Sequence, residues 1–359
     1  MDNKTSDPNW RVIVDAIADP AAVIDQSGVV IHLNPLLADL FPRARVGYSV
    51  SLISREPALL KAIATARGGE LRSIVQLHDR VPVERKLTAI ITALGVDEFE
   101  FGKPAFLTVF RDLTDQERHA QLRADFVANA SHELRTPLAS LKLIVETLLG
   151  AGRDDTASKD RFLGMMAAQA DRMTQLIDDL MSLNRVEMRA HLPPQDTVDI
   201  GELLAQVVQA LEPLADSNGV NLALLPILDP IRVQGERDEL NQVFLNLIQN
   251  GIRYGYEGSS VTIDIKQTHA PVGGSRTAIS VADTGIGIAA DHLPRLTERF
   301  YRVNASASRA KGGTGLGLAI VKHIVSRHRG ELLVESELGK GAVFTVLLPT
   351  MPKPSVFDV

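Results

Sequence analysis

Apolar residues recur every seven positions through one stretch of the chain, at Val127, Leu134, Leu141 and Leu148, with Ala130, Pro137 and Ile144 interleaved at coiled-coil spacing. The charged run "DLTDQERHAQLRADF" leads into this repeat, and no breaker intervenes between Gln116 and Thr136, so a long amphipathic helix is expected. After Leu149 the segment "GAGRDD" reads as a loop, and Phe162, Met166, Met173, Leu176, Leu180 and Leu183 mark a second helix of the same kind. Two such helices cannot cover each other's apolar stripes on every side, and each buried Leu or Met is worth roughly 1.5 to 3 kcal/mol. Pairing two hairpins into a four-helix bundle buries the remainder, which predicts a homodimer.

The same repeat governs the stretch "FVANASHELRTPLAS" at 126–140, because it leaves His132 off the apolar seam. Four residues make slightly more than one helical turn, so Thr136 shares the outward face of His132. Pro137 has no N–H to offer the carbonyl of Glu133, and a bend is expected there. An exposed imidazole on a kinked helix results. A zinc-protease reading fails, since His-Glu-x-x-His needs a second histidine where Thr136 stands.

A length of 359 residues suggests two or three domains. The formal charge of -6 gives no support for general affinity to nucleic acid or anionic membrane. Cysteine is absent, which excludes disulfides, thiolate metal sites, Cys nucleophiles and a flavin adduct. No apolar run reaches the length of a membrane span, and "MDNKTSDPNW" is not a signal peptide. Residues 10–112 mix β-type runs ("AAVID", "VVIHL", "AFLTVF") with turns and short helices, a small α+β module in which His32 and His78 are expected to be structural. The prolines of "HLPPQDT" at 191–197 mark a linker. Beyond it, helices at 200–211 and 240–247 alternate irregularly with strands at "SVTIDI", "TAISVAD", "ELLVES" and "AVFTVLLP", which argues for a mixed sheet covered on one face and a loose tail after Pro349.

Three constellations in this last region carry chemistry. In "FLNLIQNGIRYG" (244–255), Asn246, Asn250 and Arg253 share the face opposite Val243 and Leu247, and two amides with a cation suit a phosphate chain and a hard cation. In "ISVADTGIGI" (279–288) a strand ends at Asp283, whose carboxylate can accept from an exocyclic amine, while Gly285 and Gly287 let backbone approach a ligand. In "KGGTGLGLAIVKHIVSRHRG" (311–330) a glycine-rich run opens a helix with Gly330 as its expected stop, and its unpaired N–H groups form a phosphate cradle. It is neither a Walker A loop nor a Rossmann fingerprint, by its glycine spacing.

These three elements, in this order and preceded by "SHELRTPL", resemble the two-component sensor histidine kinases. "SHELRTPL" is similar to their phosphoacceptor box, 246–254 to their N box, "DTGIG" and "GTGLGL" to their glycine boxes and "ERFYR" (298–302) to their F box. "LPRLTERFYRV" and "GGTGLGLAIVKHI" resemble the phosphate-regulon sensor branch, and "ADPAAVIDQSGVVIHLNP" with the exit "DLTD" is similar to a PAS sensor domain. The resemblance implies a multidomain α+β protein: a PAS-like α+β sensor at 1–112, a dimeric helical hairpin at 113–190 forming the four-helix bundle, and an α/β sandwich of the Bergerat (GHKL) type at 198–350, with a flexible tail at 351–359. It further implies ATP as phosphoryl donor, with Asp283 reading adenine, Asn250 holding Mg²⁺, Asn246 and Arg253 facing phosphate, and Tyr254 lining the pocket. Gly285 and Gly287 would allow close approach, and the loop Gly313, Thr314, Gly315, Leu316 and Gly317 would close over the phosphates.

His132 would attack the γ-phosphorus, Glu133 would hold the tautomer and stabilise the imidazolium, and Thr136 would orient water for dephosphorylating a response regulator, the implied partner beside the second copy. An imidazole of ordinary acidity titrates near about 6.5 and is mostly neutral at pH 7, so deprotonation is not the main barrier for a histidine nucleophile. The implied location is the cytoplasm, as a free chain or as the soluble part of a membrane-anchored sensor. Departures from the family pattern are Gly251 in place of the usual Ala, Arg253 in place of Lys, and Ala342 in place of Ser or Thr. The alternative reading is an ATPase of the gyrase, Hsp90 and mismatch-repair kind, which shares the nucleotide fold and needs no phosphohistidine.

Overall fold

The computed structural model describes residues 9–67, 72–79, 85–94, 105–150, 156–227, 229–270, 274–304 and 312–350. It divides the chain into two compact units, Met1–Val127 and Ala128–Val359. The 151–155 part of the expected loop and the tail at 351–359 lie outside the described residues.

The first unit contains α1 (Asn9–Asp15), β1 (Ala21–Asp25), β2 (Val30–Leu33), α2 (Pro35–Leu40), α3 (Pro57–Arg67), β3 (Arg72–Asp79), β4 (Arg85–Leu94) and β5 (Ala105–Asp112). The strands form one antiparallel sheet in the order β2-β1-β5-β4-β3. β1 is buried on both faces, which is why "AAVID" reads as a continuous apolar run: Ala22 and Ile24 join Phe106, Phe110, Leu37 and Ile63 on one side, while Ala21 and Val23 meet Trp10 and Val14 of α1 on the other. Asn34 fixes the corner between β2 and α2. Its Oδ1 accepts from Leu37 N and Ala21 N, both at 2.9 Å, and its Nδ2 donates to Asp19 O at 3.0 Å. His32 is tied to Asp15 at 2.8 Å and stacks edge-on against Trp10, a structural role as expected. β3 and β4 have no counterpart in the sequence reading; β4 turns Leu87, Ala89 and Ile91 inward at alternate positions, and Leu77 is buried on β3.

The hairpin helices are α4 (Thr114–Leu149), which continues through Pro137, and α5 (Thr156–Met188). Ile144, Leu176, Leu183 and Val186 are buried, whereas Leu138, Leu149, Leu163, Ile177 and Met181 remain exposed in the single chain.

Next come β6 (Thr197–Asp199), α6 (Ile200–Ser217), β7 (Asn221–Leu224), β8 (Arg232–Gln234), α7 (Arg237–Tyr254), β9 (Ser260–Ala270), β10 (Gly274–Asp283), α8 (Gly317–Arg327), β11 (Glu331–Glu337) and β12 (Gly341–Pro349). The main sheet runs β11-β12-β10-β9-β7, with β7 parallel to β9 and the other pairs antiparallel, a mixed sheet as anticipated. α6, α7 and α8 bury Leu204, Leu211, Phe244, Leu247, Ile320 and Ile324 in the core over it, while β11 alternates toward solvent.

Two local expectations need correction. The segment 191–197 is partly built into the fold, since Thr197 opens β6, which pairs with β8, and Leu192 O accepts from Arg327 Nε at 3.0 Å. The left-handed residue after α8 is Arg329 (φ 53), not Gly330. Gly330 is confined for a different reason: a Cβ there would meet Leu348 Cδ2 at 2.9 Å.

Candidate active site

α7 turns its apolar face into the core and its polar face into a cavity of about 270 Å³. Asn246, Asn250, Arg253 and Tyr254 line one wall of this cavity. Asn246 also donates from Nδ2 to Gly317 O at 3.4 Å, which ties this wall to the start of α8.

Asp283 ends β10 on a second wall. Its Oδ1 accepts from Gly285 N at 2.9 Å and Ala342 N at 3.3 Å, which leaves Oδ2 for a ligand. Burial pushes the Asp283 carboxyl above the ordinary aspartate range, and the two backbone donors oppose that shift. Gly287 adopts φ +67, and a Cβ there would collide with the carbonyl of Glu337, so the closely packed turn after Asp283 requires glycine.

The third wall is the glycine loop. Gly315 has φ +77, its carbonyl accepts from Phe300 N at 2.8 Å, and a Cβ would lie 2.9 Å from Phe300 backbone. Gly313, Thr314, Gly315 and Gly317 line the cavity, and Leu316 N receives support from Thr314 Oγ1 at 3.3 Å. No side chain caps α8 at its N-cap, Leu316.

The structure thus gathers ten of the twelve predicted nucleotide residues around one cavity. Gly285 and Leu316 are the two outside its lining. Gly285 packs beneath it, where a Cβ would approach Tyr254 O at 2.8 Å, and Leu316 is fully buried under the loop. The departures from the family pattern also acquire reasons. A Cβ at Gly251 would approach Val261 Cγ2 at 2.9 Å, Arg253 lines the cavity as a Lys would, and Ala342 contributes its backbone N–H.

His132 and Thr136 are exposed on α4, and Thr136 Oγ1 donates to His132 O at 3.2 Å, consistent with the predicted shared face. His132 does not line the cavity. Its neighbour Glu133 nevertheless reaches a residue that does. Glu133 Oε2 accepts from Arg302 Nη2 at 2.9 Å and Arg172 Nη2 at 3.4 Å, and Arg302 is part of the lining. Two further lining residues, Gln175 and Asp179, come from α5. Sequence reasoning missed all three: Arg302 was visible only as the last letter of "ERFYR", and Asp179 had no signal beyond a polar helix position.

Whether this lining suits a magnesium–nucleotide complex is testable on the donor set. Among the described residues no cluster of three His, Asp or Glu forms a protein cage for a metal. An amide oxygen of Asn250 beside Arg253, a glycine loop and a strand-end carboxylate is instead the set for a cation that keeps most of its waters and takes its remaining ligands from phosphate. The residues fit the group.

Comparison with known proteins agrees with this geometry. Residues 122–189 match the His Kinase A (phospho-acceptor) domain, and residues 235–352 match the histidine kinase-, DNA gyrase B- and HSP90-like ATPase domain. The chain is 38% identical over 252 residues to the sensor-like histidine kinase SenX3 of Mycolicibacterium smegmatis, covering 69% of this chain and 63% of that protein. It is 39% identical over 249 residues to the phosphate regulon sensor protein PhoR of Pseudomonas aeruginosa, covering 68% and 54%. Against the sensor histidine kinase WalK of Bacillus subtilis it is 30% identical over 348 residues, covering 94% and 54%. The chain therefore spans between 54 and 63% of the length of these relatives. With both domain matches and a set of relatives that agree, the chain belongs to the sensor histidine kinases, in the branch of the phosphate-regulon sensor.

Proposed function

We propose that this chain phosphorylates itself on His132 from ATP, passes the phosphoryl group to an aspartate of a response-regulator receiver domain, and dephosphorylates that regulator. The observation that carries the reading is the pairing of an exposed His132 with a Glu133 bonded at 2.9 Å to Arg302, a residue of the nucleotide cavity. The working parts are a PAS-like sensor at 1–112, a dimerisation and phosphotransfer hairpin at 113–190 and the catalytic domain at 198–350, joined by 191–197, whose Leu192 and Thr197 are tied to the catalytic domain.

In the transfer, a ring nitrogen of His132 forms a bond to the γ-phosphorus while the bond from that phosphorus to the ADP oxygen breaks. The ring then carries positive charge, which Glu133 offsets once its carboxylate is turned to the imidazole. Asp283 accepts the adenine amine, Tyr254 and the two glycines after Asp283 shape the base pocket, and Asn246, Arg253 and the 313–317 loop hold phosphate oxygens. Asn250 would hold Mg²⁺, which would supply the charge neutralisation that, with positioning, dominates phosphoryl transfer. Thr136, one turn from His132, orients the water that attacks the regulator's acyl phosphate. Among the described residues no helix is long and apolar enough to cross a membrane, and the reading places this chain in the cytoplasm, alone or below a membrane anchor.

A single transfer assay tests the assignment. His132→Gln is expected to abolish acid-labile label from γ-³²P ATP with nucleotide binding retained, and Thr136→Ala to keep the label while slowing regulator dephosphorylation about tenfold or more. Undiminished label in His132→Gln would refute the kinase reading, and ATP turnover without any phosphohistidine in the wild type would favour the ATPase alternative. Equal dephosphorylation rates would remove Thr136 from its role.

A further inference from the structure

Two carboxylates of the helical hairpin hold donors that belong to the wall of the cavity. Arg302, 6% exposed, donates from Nη2 to Glu133 Oε2 at 2.9 Å. Its Nε is also buried and has no hydrogen-bond partner, so the guanidinium fork has more N–H groups than the carboxylate fills. Thr314, 8% exposed in the glycine loop, donates its hydroxyl to Asp179 Oδ2 at 2.6 Å. Asp179 is itself 4% exposed and uses its other oxygen to accept from Gln175 Nε2 at 2.9 Å. A guanidinium and a hydroxyl facing a cavity beside a glycine loop are donors suited to phosphate oxygens. Here carboxylates of the same chain occupy both.

We propose that Glu133 and Asp179 act as internal stand-ins for phosphate, so that docking of the hairpin and binding of a nucleoside polyphosphate compete for Arg302 and Thr314. The inference rests on the reading of the cavity as a nucleotide site. Two physical features make the contact displaceable. Burial raises the Asp179 carboxyl above the ordinary aspartate range against the hydrogen bonds from Thr314 and Gln175, so the docked carboxylate is held at a cost. The unfilled Nε of Arg302 means that a group with three oxygens can satisfy the fork more fully than Glu133 does. A polyphosphate beside Asp179 would also face like-charge repulsion in a poorly solvated cavity, so the two anions exclude each other. Competition of this kind links two events: loading the cavity frees Glu133, the carboxylate next to the nucleophile.

Binding of adenosine, ADP and a non-hydrolysable ATP analogue to the full chain, measured by titration calorimetry with Mg²⁺, tests this. Asp179→Ala should raise affinity for the triphosphate about three- to thirtyfold, for ADP less, and for adenosine less than about twofold, because only the polyphosphate competes. Glu133→Ala should act in the same direction. In the unaltered chain, amide exchange across 175–183 should quicken on adding the triphosphate and not on adding adenosine. Equal gains for all three ligands, no gain for the triphosphate, or unchanged exchange would overturn the competition while leaving the nucleotide site intact. Failure of every ligand to bind every variant would overturn the nucleotide reading and this inference with it.

Discussion

At the residue scale, one group is placed for binding at the expense of stability. Asp283 keeps one oxygen on two backbone N–H groups and presents the other to the cavity, with its pKa raised by burial. A raised value means that the folded chain holds the proton more tightly than the unfolded one. The contribution to stability is therefore full below the ordinary value of 3.8 and is lost as pH rises through the raised one. Asp283→Asn keeps an oxygen for Gly285 and Ala342 and removes the buried charge. It is expected to raise the unfolding temperature of the ligand-free chain at pH 7, with the gain fading toward pH 4. The same change puts an amide N–H where adenine offers its amine, and a mispaired buried hydrogen bond costs about 1 to 3 kcal/mol, so ATP affinity should fall roughly ten- to hundredfold. Calorimetry and thermal melts on one preparation check both halves, and an unchanged dissociation constant would remove Asp283 from the adenine contact. Asp283 was legible in the sequence because a strand end followed by two glycines is a local pattern, but the backbone donors that share its carboxylate were not.

Elements meet at their ends as well as on their faces. The C-terminal end of α5, the start of α7 and the end of α8 converge on Arg327 and His328. Arg327 Nε donates to the carbonyls of Arg189 and Leu192, and its Nη1 donates to Glu236 and Glu239, so one side chain fastens the chain after α5 to the start of α7. His328 donates from Nδ1 to Ile324 O at 2.8 Å and accepts at Nε2 from Glu236 N at 3.1 Å, an arrangement open only to the neutral ring. Burial, reinforced by the Arg327 charge, lowers the His328 pKa. A lowered value gives stability that is complete above the ordinary 6.5 and is lost as pH falls through the lowered one. The unfolding temperature of the chain should fall on acidification below about pH 6.5, and His328→Gln should lower the unfolding temperature at pH 7.5 while flattening that dependence. An identical pH slope in the variant would exclude His328 as its source. The helices themselves were readable from their period, whereas this junction was not, because its polar partners lie 91 and 138 residues apart in the chain.

For the whole molecule, the hairpin presents several exposed apolar side chains. Leu138, Leu143, Val145 and Leu149 on α4, and Leu163, Met165, Ile177 and Met181 on α5, are exposed, while Ile144, Leu176, Leu183 and Val186 of the same helices are buried. A second hairpin covering them would bury several side chains worth roughly 1.5 to 3 kcal/mol each, which supports the homodimer read from the heptads. The chain is expected to sediment as a dimer at micromolar concentration. Leu138→Glu combined with Ile177→Glu should raise the dimer dissociation constant about a hundredfold or more. The helices themselves should stay folded, since both positions are exposed before pairing. A monomeric wild type, or a double variant that sediments unchanged, would count against the bundle.

Periodicity and short spacings are local properties of a chain. The sequence by itself therefore determined the paired hairpin helices, the exposed histidine with a threonine one turn on, and the asparagine, aspartate and glycine elements of a nucleotide site. The tertiary structure alone decided which charges those elements would meet. Glu133 lies 169 residues from Arg302, and Asp179 lies 135 from Thr314. No repeat or motif encodes such pairs, because the cost of burying a charge, and the partner that offsets it, exist only once the fold has removed water from between them.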